Sequence, residues 1–286
     1  MKLLVALGSF ALSGAVLLTQ PEPQEGGAPP AAGQEEPAPA AGALQRLLTS
    51  LADEGIDLDL ERGIASFEAQ VLVRDQLLEY LLVGPYGATH ESLFVTEVTP
   101  SLLNAAMLAL GASPGRNATW VEEELPEGAP EDARPDYRIV PPSGDGFYLH
   151  AAWREGEETY FFRVEDLVAN LDTGRSMERG ALVYLGSKMA KMPVPKEQGG
   201  TGGEPQDVFV ADVEQNLASL IYFSEGNQLL TCVHGDTNRQ DIYAANIWNV
   251  PERGQIVRIV LARKPLATVP DSLAGELPTV TRAGGK

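Results

Sequence analysis

Residues 66–73 read SFEAQVLV. Polar and apolar side chains alternate strictly from Ser66 to Val71, and Leu72 ends the alternation. Successive side chains of a β-strand point to opposite faces, so this alternation predicts a half-buried strand. Residues 77–83 predict a second, more apolar strand, and residues 93–98 a third. Residues 99–111 then change period: a Thr-Pro-Ser start and a leucine and alanine stripe predict a helix that ends at Gly111.

The rest of the chain offers one more helix and many short strands. Leucines of residues 44–51 recur at i, i+3, i+4 and i+7, which predicts a short amphipathic helix. Many short antiparallel strands with two or three short helices predict a β-rich α+β fold. The further strand-like runs are residues 137–140, 147–153, 159–164, 181–185, 208–213, 217–223, 229–233 and 255–261.

The ends of the chain differ in composition from the middle. Residues 3–18 carry no charge and follow Lys2, which predicts export by a signal peptide or an uncleaved N-terminal anchor over residues 1–18. Residues 19–43 are rich in Pro, Ala and Gly and predict a disordered linker. We expect one domain over residues 44–263. Residues 264–286 contain three prolines, end in Ala-Gly-Gly-Lys and predict a flexible tail.

Charge and cysteine content exclude several classes of protein. The 286 residues carry a formal net charge of −19, which repels nucleic acid and acidic lipid. We therefore expect no nucleic-acid partner, and membrane contact only through the N-terminal segment. Cys232 is the single cysteine, so the chain alone can form no disulfide framework, no Cys-rich zinc site and no Cys-held iron–sulfur cluster.

Several ordered motifs resemble the YdjY-type domain of bacterial exported proteins. The most specific are residues 78–83 (LEYLLV), residues 89–94 (THESLF) and the helical run 100–111. The resemblance implies an exported cell-envelope protein, in the periplasm or anchored there. The family has no established activity or catalytic set, so the resemblance assigns no site residue. Further matches lie at residues 163–168, 173–174, 183–187, 209–212 and 250–257.

His90, Glu91 and Ser92 are the candidate catalytic residues. On a strand, His90 and Ser92 would share one face and Glu91 would lie on the other. One interpretation is that His90 and Ser92 hydrogen-bond the loop backbone and fix the start of the strand. The other is that His90 acts as a general base with an acid such as Asp166 or Asp212.

The sequence predicts no metal site and no cofactor. A zinc site of His90, His150 and His234 has enough ligands, but no two histidines have the spacing typical of a metal pair. Our leading hypothesis is therefore a non-catalytic module that binds a protein or a small ligand in the cell envelope. The alternative is a hydrolase-type enzyme that uses His90.

Overall fold

A computed structural model describes residues 39–128, 130, 133–234 and 238–281. The predicted export segment, residues 1–18, and residues 19–38 of the predicted linker lie outside these ranges, as do residues 282–286. Among the described residues, no helix has the length and apolar character that a membrane crossing requires.

Helices make up a small part of the described chain. The α-helices there are α1 (Pro39–Asp53), α2 (Pro100–Ala109) and α3 (Val210–Glu214). Single 3₁₀ turns lie at Thr89–Glu91, Val164–Leu167 and Lys196–Gln198. The helices predicted over residues 44–51 and 99–111 are confirmed in place. Helix α1 begins earlier than predicted, because residues 39–43, predicted as disordered linker, form its start.

Short strands form most of the remaining structure. Their bounds are β1 Asp57–Asp59, β2 Ile64–Val71, β3 Tyr80–Val83, β4 Ser92–Val95, β5 Thr119–Glu122, β6 Tyr137–Val140, β7 Gly146–Glu155, β8 Glu158–Arg163, β9 Val168–Asn170, β10 Arg175–Ser176, β11 Leu182–Tyr184, β12 Met189–Met192, β13 Gln206–Phe209, β14 Asn216–Ser219, β15 Leu230–Thr231, β16 Tyr243–Ala245 and β17 Ile256–Ala262.

The main sheet closes on itself. Its strands run in the order β2-β17-β7-β11-β15-β14-β3-β4, and β4 pairs back to β2 through Gln70 with Val95 and Val71 with Phe94. Strand β1 extends from β2, and β8 extends from β7. Most pairs are antiparallel, while β14 with β15 and β3 with β4 are parallel.

The predicted α+β class is wrong, because the protein is mainly β. An open sheet needs a layer of helices or a second sheet to cover its apolar face. A closed sheet instead buries that face against itself. Phe67, Phe147 and Ile259 from three neighbouring strands lie together in this interior. The few short helices add Leu51, Met107 and Ala211 to the same core.

The C-terminal segment packs on the outside of the closed sheet. Leu273 is buried against Ile64, Val260 and Ala262, with Leu266 and Val269 beside it. The backbone continues this contact, since the Arg154 amide donates to the Pro278 carbonyl at 2.8 Å and the Val280 amide donates to the Arg154 carbonyl at 2.8 Å. The prolines here predict a flexible tail, but the apolar residues between them find an apolar strip on the strands, and residues 265–281 pack.

Candidate ligand-binding cleft

The structure brings two of the three sequence-predicted site residues together. His90 and Glu91 lie in a 3₁₀ turn and not on a strand, and His90 Nε2 is 3.6 Å from Glu91 Oε2. The His90 side chain is 78% exposed. Ser92 begins β4, is fully buried, and its hydroxyl donates to the Phe94 carbonyl at 2.9 Å. The serine therefore contacts the strand backbone inside the protein, while the histidine faces solvent.

The acids considered as partners of His90 are engaged elsewhere. Asp166 accepts two bonds from the Arg179 guanidinium, at 2.9 and 2.7 Å. Asp212 accepts the Ser101 amide at 2.7 Å, in the first turn of α2. Glu79 is the carboxylate that interacts electrostatically with both His90 and Glu91. Burial raises the pKa of Glu79, the negative charge of Glu91 raises this pKa further, and His90 lowers it.

The remaining histidines and the cysteine lie apart from His90 and Glu91. His150 is buried under the C-terminal segment, where the Leu266 amide donates to its Nε2 at 3.3 Å. Burial raises the pKa of the Cys232 thiol far above its ordinary value. Within the described part of the chain, no three His, Cys, Asp or Glu side chains converge in a way that could hold a metal ion.

A cleft of about 400 Å³ lies where the β7–β8 hairpin projects beyond the closed sheet. Trp153 on β7 is paired with Tyr160 on β8, and Phe162 follows two residues later on the same face. The three rings are nearly parallel. Trp153 stacks on Tyr160 at 5.6 Å and 6°, and on Phe162 at 5.5 Å and 25°. These rings form one wall of the cleft.

A tight turn carries two exposed apolar residues at the rim. Ile247 and Trp248 are 49% and 88% exposed, and both line the cleft. The Asn249 and Val250 amides donate to the Asn246 carbonyl at 2.9 and 3.1 Å, which closes the turn. The side-chain amides of Asn246 and Asn249 both donate to the Asp166 carbonyl, at 3.0 and 3.2 Å. The turn is thus fixed to the body of the protein.

Arg74 provides the second anchor of this turn. Its Nη2 donates to the carbonyl of Ile247 at 3.0 Å and to that of Val250 at 3.3 Å, and its Nη1 forms an ion pair with Glu252. The positive charge of the Arg74 guanidinium is therefore paired within the wall of the cleft. The other polar residues of the lining are Glu155, Asn249 and Thr281.

Sequence reasoning located the strands of this site but not the site. Two sequence features point to the site. Tyr160 and Phe162 are aromatic residues two positions apart on one strand, and Ile247-Trp248 is an apolar pair in a loop. What brings these residues to Arg74 and Trp153 is the long-range pairing of the closed sheet, which no local pattern encodes. Comparison of the chain with family models, with curated proteins and with solved structures finds no match.

Proposed function

We propose that this chain is a non-catalytic binding module that holds a small ligand in the aromatic cleft. The observation that carries the proposal is Trp248, an indole that is 88% exposed on an anchored turn beside three nearly parallel rings. An exposed indole next to other aromatic surface gains free energy when a ligand covers both.

The anchoring of the rim supports binding. Arg74, Asn246 and Asn249 hold the turn through side-chain hydrogen bonds to other parts of the protein. A site that is ordered beforehand loses little conformational entropy when the ligand arrives, so more of the contact energy contributes to affinity. The volume of about 400 Å³ lies within the range typical of small-molecule sites.

A hydrolase centred on His90 has less support from the geometry. Its neighbouring hydroxyl, Ser92 Oγ, is buried and bonded to the Phe94 carbonyl. A serine nucleophile has to reach the substrate and a general base at the same time. His90 is largely exposed beside Glu91, whereas the Ser92 hydroxyl is bonded inside the protein.

We further propose that the module works in the bacterial cell envelope. The uncharged run of residues 3–18 after Lys2 supports export, and the motifs similar to the YdjY-type domain agree with it. Pro/Ala/Gly-rich residues 19–38, which precede α1, would then hold the module at a distance from an anchor.

The test uses N-phenyl-1-naphthylamine, an uncharged fluorophore that brightens in apolar surroundings, with the full-length protein. We expect Trp248→Ala to weaken its binding about two- to tenfold, because one aromatic contact contributes about 0.5–1.5 kcal/mol. Trp120→Ala is the matched control, since Trp120 is another partly exposed indole that does not line the cleft. Equal affinity in the wild type and Trp248→Ala would overturn the proposal.

A further inference from the structure

We infer that the ligand of the aromatic cleft is a neutral oligosaccharide; this inference rests on the proposed function. The first argument is the arrangement of the rings. Tyr160 and Phe162 lie 6.3 Å apart with planes 19° from parallel, and both are within 25° of the Trp153 plane. Trp153 is only 3% exposed, so the aromatic surface that a ligand can reach belongs to half-buried Tyr160 and Phe162 and to exposed Trp248. Wall rings that share one orientation suit a flat ligand, whereas a cage for a quaternary ammonium group needs rings that surround it.

The second argument is charge. Arg74 is the cationic side chain of the lining, and Glu252 together with two backbone carbonyls occupies it. The acidic side chains of the lining are Glu155 and Glu252, so the lining has no surplus of positive charge. Within a chain of net charge −19, such a site repels phosphate, sulfate or carboxylate groups on a ligand. The ligand is therefore not an anion.

The third argument is the chemistry of the rim, which is rich in hydrogen-bond acceptors. The Glu252 side chain is 46% exposed, and its carboxylate has lone pairs beyond the one that Arg74 uses. The side-chain N–H of Asn249 donates to the backbone carbonyl of Asp166, and its side-chain oxygen can accept a hydrogen bond. The hydroxyl of Thr281 adds one more. A plain hydrocarbon offers these groups no donor.

A pyranose ring fits both the aromatic wall of the cleft and the hydrogen-bond acceptors of its rim. One of its faces consists of C–H groups that can lie flat on an aromatic ring, and its edge carries hydroxyl donors for the carboxylate and amide oxygens of the rim. The cleft is open at the indole of Trp248, so a second sugar unit can continue along the exposed ring. We expect binding of short chains to depend on that indole more strongly than on any other exposed side chain.

The experiment is calorimetric titration of the full-length protein with five neutral trisaccharides: tri-N-acetylchitotriose, cellotriose, maltotriose, xylotriose and mannotriose. Each is also tested for displacement of N-phenyl-1-naphthylamine. Tetramethylammonium and trigalacturonate serve as the cationic and anionic comparators. We expect at least one neutral trisaccharide to bind and to displace the fluorophore, and neither comparator to do so.

The variants separate this inference from the proposed function. Trp248→Ala should weaken trisaccharide binding about two- to tenfold, Trp248→Phe should retain most of the wild-type affinity, and Trp120→Ala should leave the affinity unchanged. If fluorophore binding depends on Trp248 but no neutral trisaccharide displaces it, the saccharide inference fails and the proposed function stands. If a trisaccharide binds Trp248→Ala as tightly as it binds the wild type, the inference is also overturned. Fluorophore binding that ignores Trp248 overturns the proposed function itself.

Discussion

Replacing His150 by glutamine tests how the C-terminal segment is held against the sheet. The imidazole is buried on the outer face of β7, stacks on Phe161 with 4.9 Å between ring centroids, and accepts the Leu266 amide at 3.3 Å through Nε2. A nitrogen that accepts a bond must be unprotonated. Glutamine preserves an acceptor but does not titrate, so the variant isolates the effect of the proton.

The magnitude follows from the shift of the His150 pKa. Burial, reinforced by the positive charge of Arg163, lowers this pKa from 6.5 to about 4 in the folded protein. The unfolded chain therefore binds the proton first, and folding stability is lost as the pH falls from 6.5 towards 4. At about 1.4 kcal/mol per pH unit, the loss reaches roughly 2.5 kcal/mol by pH 4.5.

The assay is urea unfolding of the wild type and His150→Gln at pH 7.5, 6.5, 5.5 and 4.5, followed by far-UV circular dichroism. Asp59 and Asp145, whose pKa values are lowered by backbone hydrogen bonds from Arg62 and Ser113, also reduce stability in acid. They do so in both proteins and cancel in the difference. We expect the wild type to lose about 2.5 kcal/mol more than the variant between pH 7.5 and 4.5.

Trp120→Phe is the control, because Trp120 carries no titratable group and lies on β5, outside the main sheet, so it should leave the pH dependence of the wild type intact. The reasoning is refuted if wild type and His150→Gln lose stability in parallel over the whole range. That result would mean that water reaches His150 in the folded protein and that the C-terminal segment does not seal it.

Three further predictions concern packing, the rim of the cleft and the thiol. Leu273→Ala should lower the free energy of unfolding by about 2–3 kcal/mol in urea, because the leucine is buried outside the sheet, and a change of a few tenths would contradict that packing. Arg74→Ala should raise amide hydrogen exchange at residues 246–250, since it removes two bonds to their carbonyls; unchanged exchange would show that the turn does not need them. Cys232 should react with iodoacetamide only in the unfolded protein, as followed by mass spectrometry, because burial raises its pKa.

Local patterns of the sequence predicted individual elements well. The alternation of residues 66–73 falls on β2, the runs 147–153 and 159–164 fall on β7 and β8, and the Thr-Pro-Ser start falls on α2. Each of these signals depends on neighbours within one element, where the period of side-chain directions is fixed. The exposed strand β5 was missed, because its residues lie in a stretch rich in proline and acids.

Long-range pairing was not predictable in this way, and the fold class depends on it. The closure rests on two residue pairs, Gln70 with Val95 and Val71 with Phe94, and nothing in either segment specifies the other. The same limit hid the candidate cleft, which joins Arg74 and Trp248, residues 174 positions apart in the chain. The short motif His90-Glu91-Ser92 indicates a candidate catalytic group, whereas the cleft consists of aromatic rings that no short catalytic motif contains.

The most direct test of the binding cleft uses the three tryptophans as reporters. The indole N–H signals of Trp120, Trp153 and Trp248 can be assigned in a ¹⁵N–¹H spectrum from single phenylalanine substitutions, and phenol, an uncharged ring that is soluble at millimolar concentration, can then be titrated. We predict that the Trp248 signal shifts most, that Trp153 follows, and that Trp120 stays in place. A shift confined to Trp120, or equal small shifts of all three, would contradict a ligand site in the aromatic cleft.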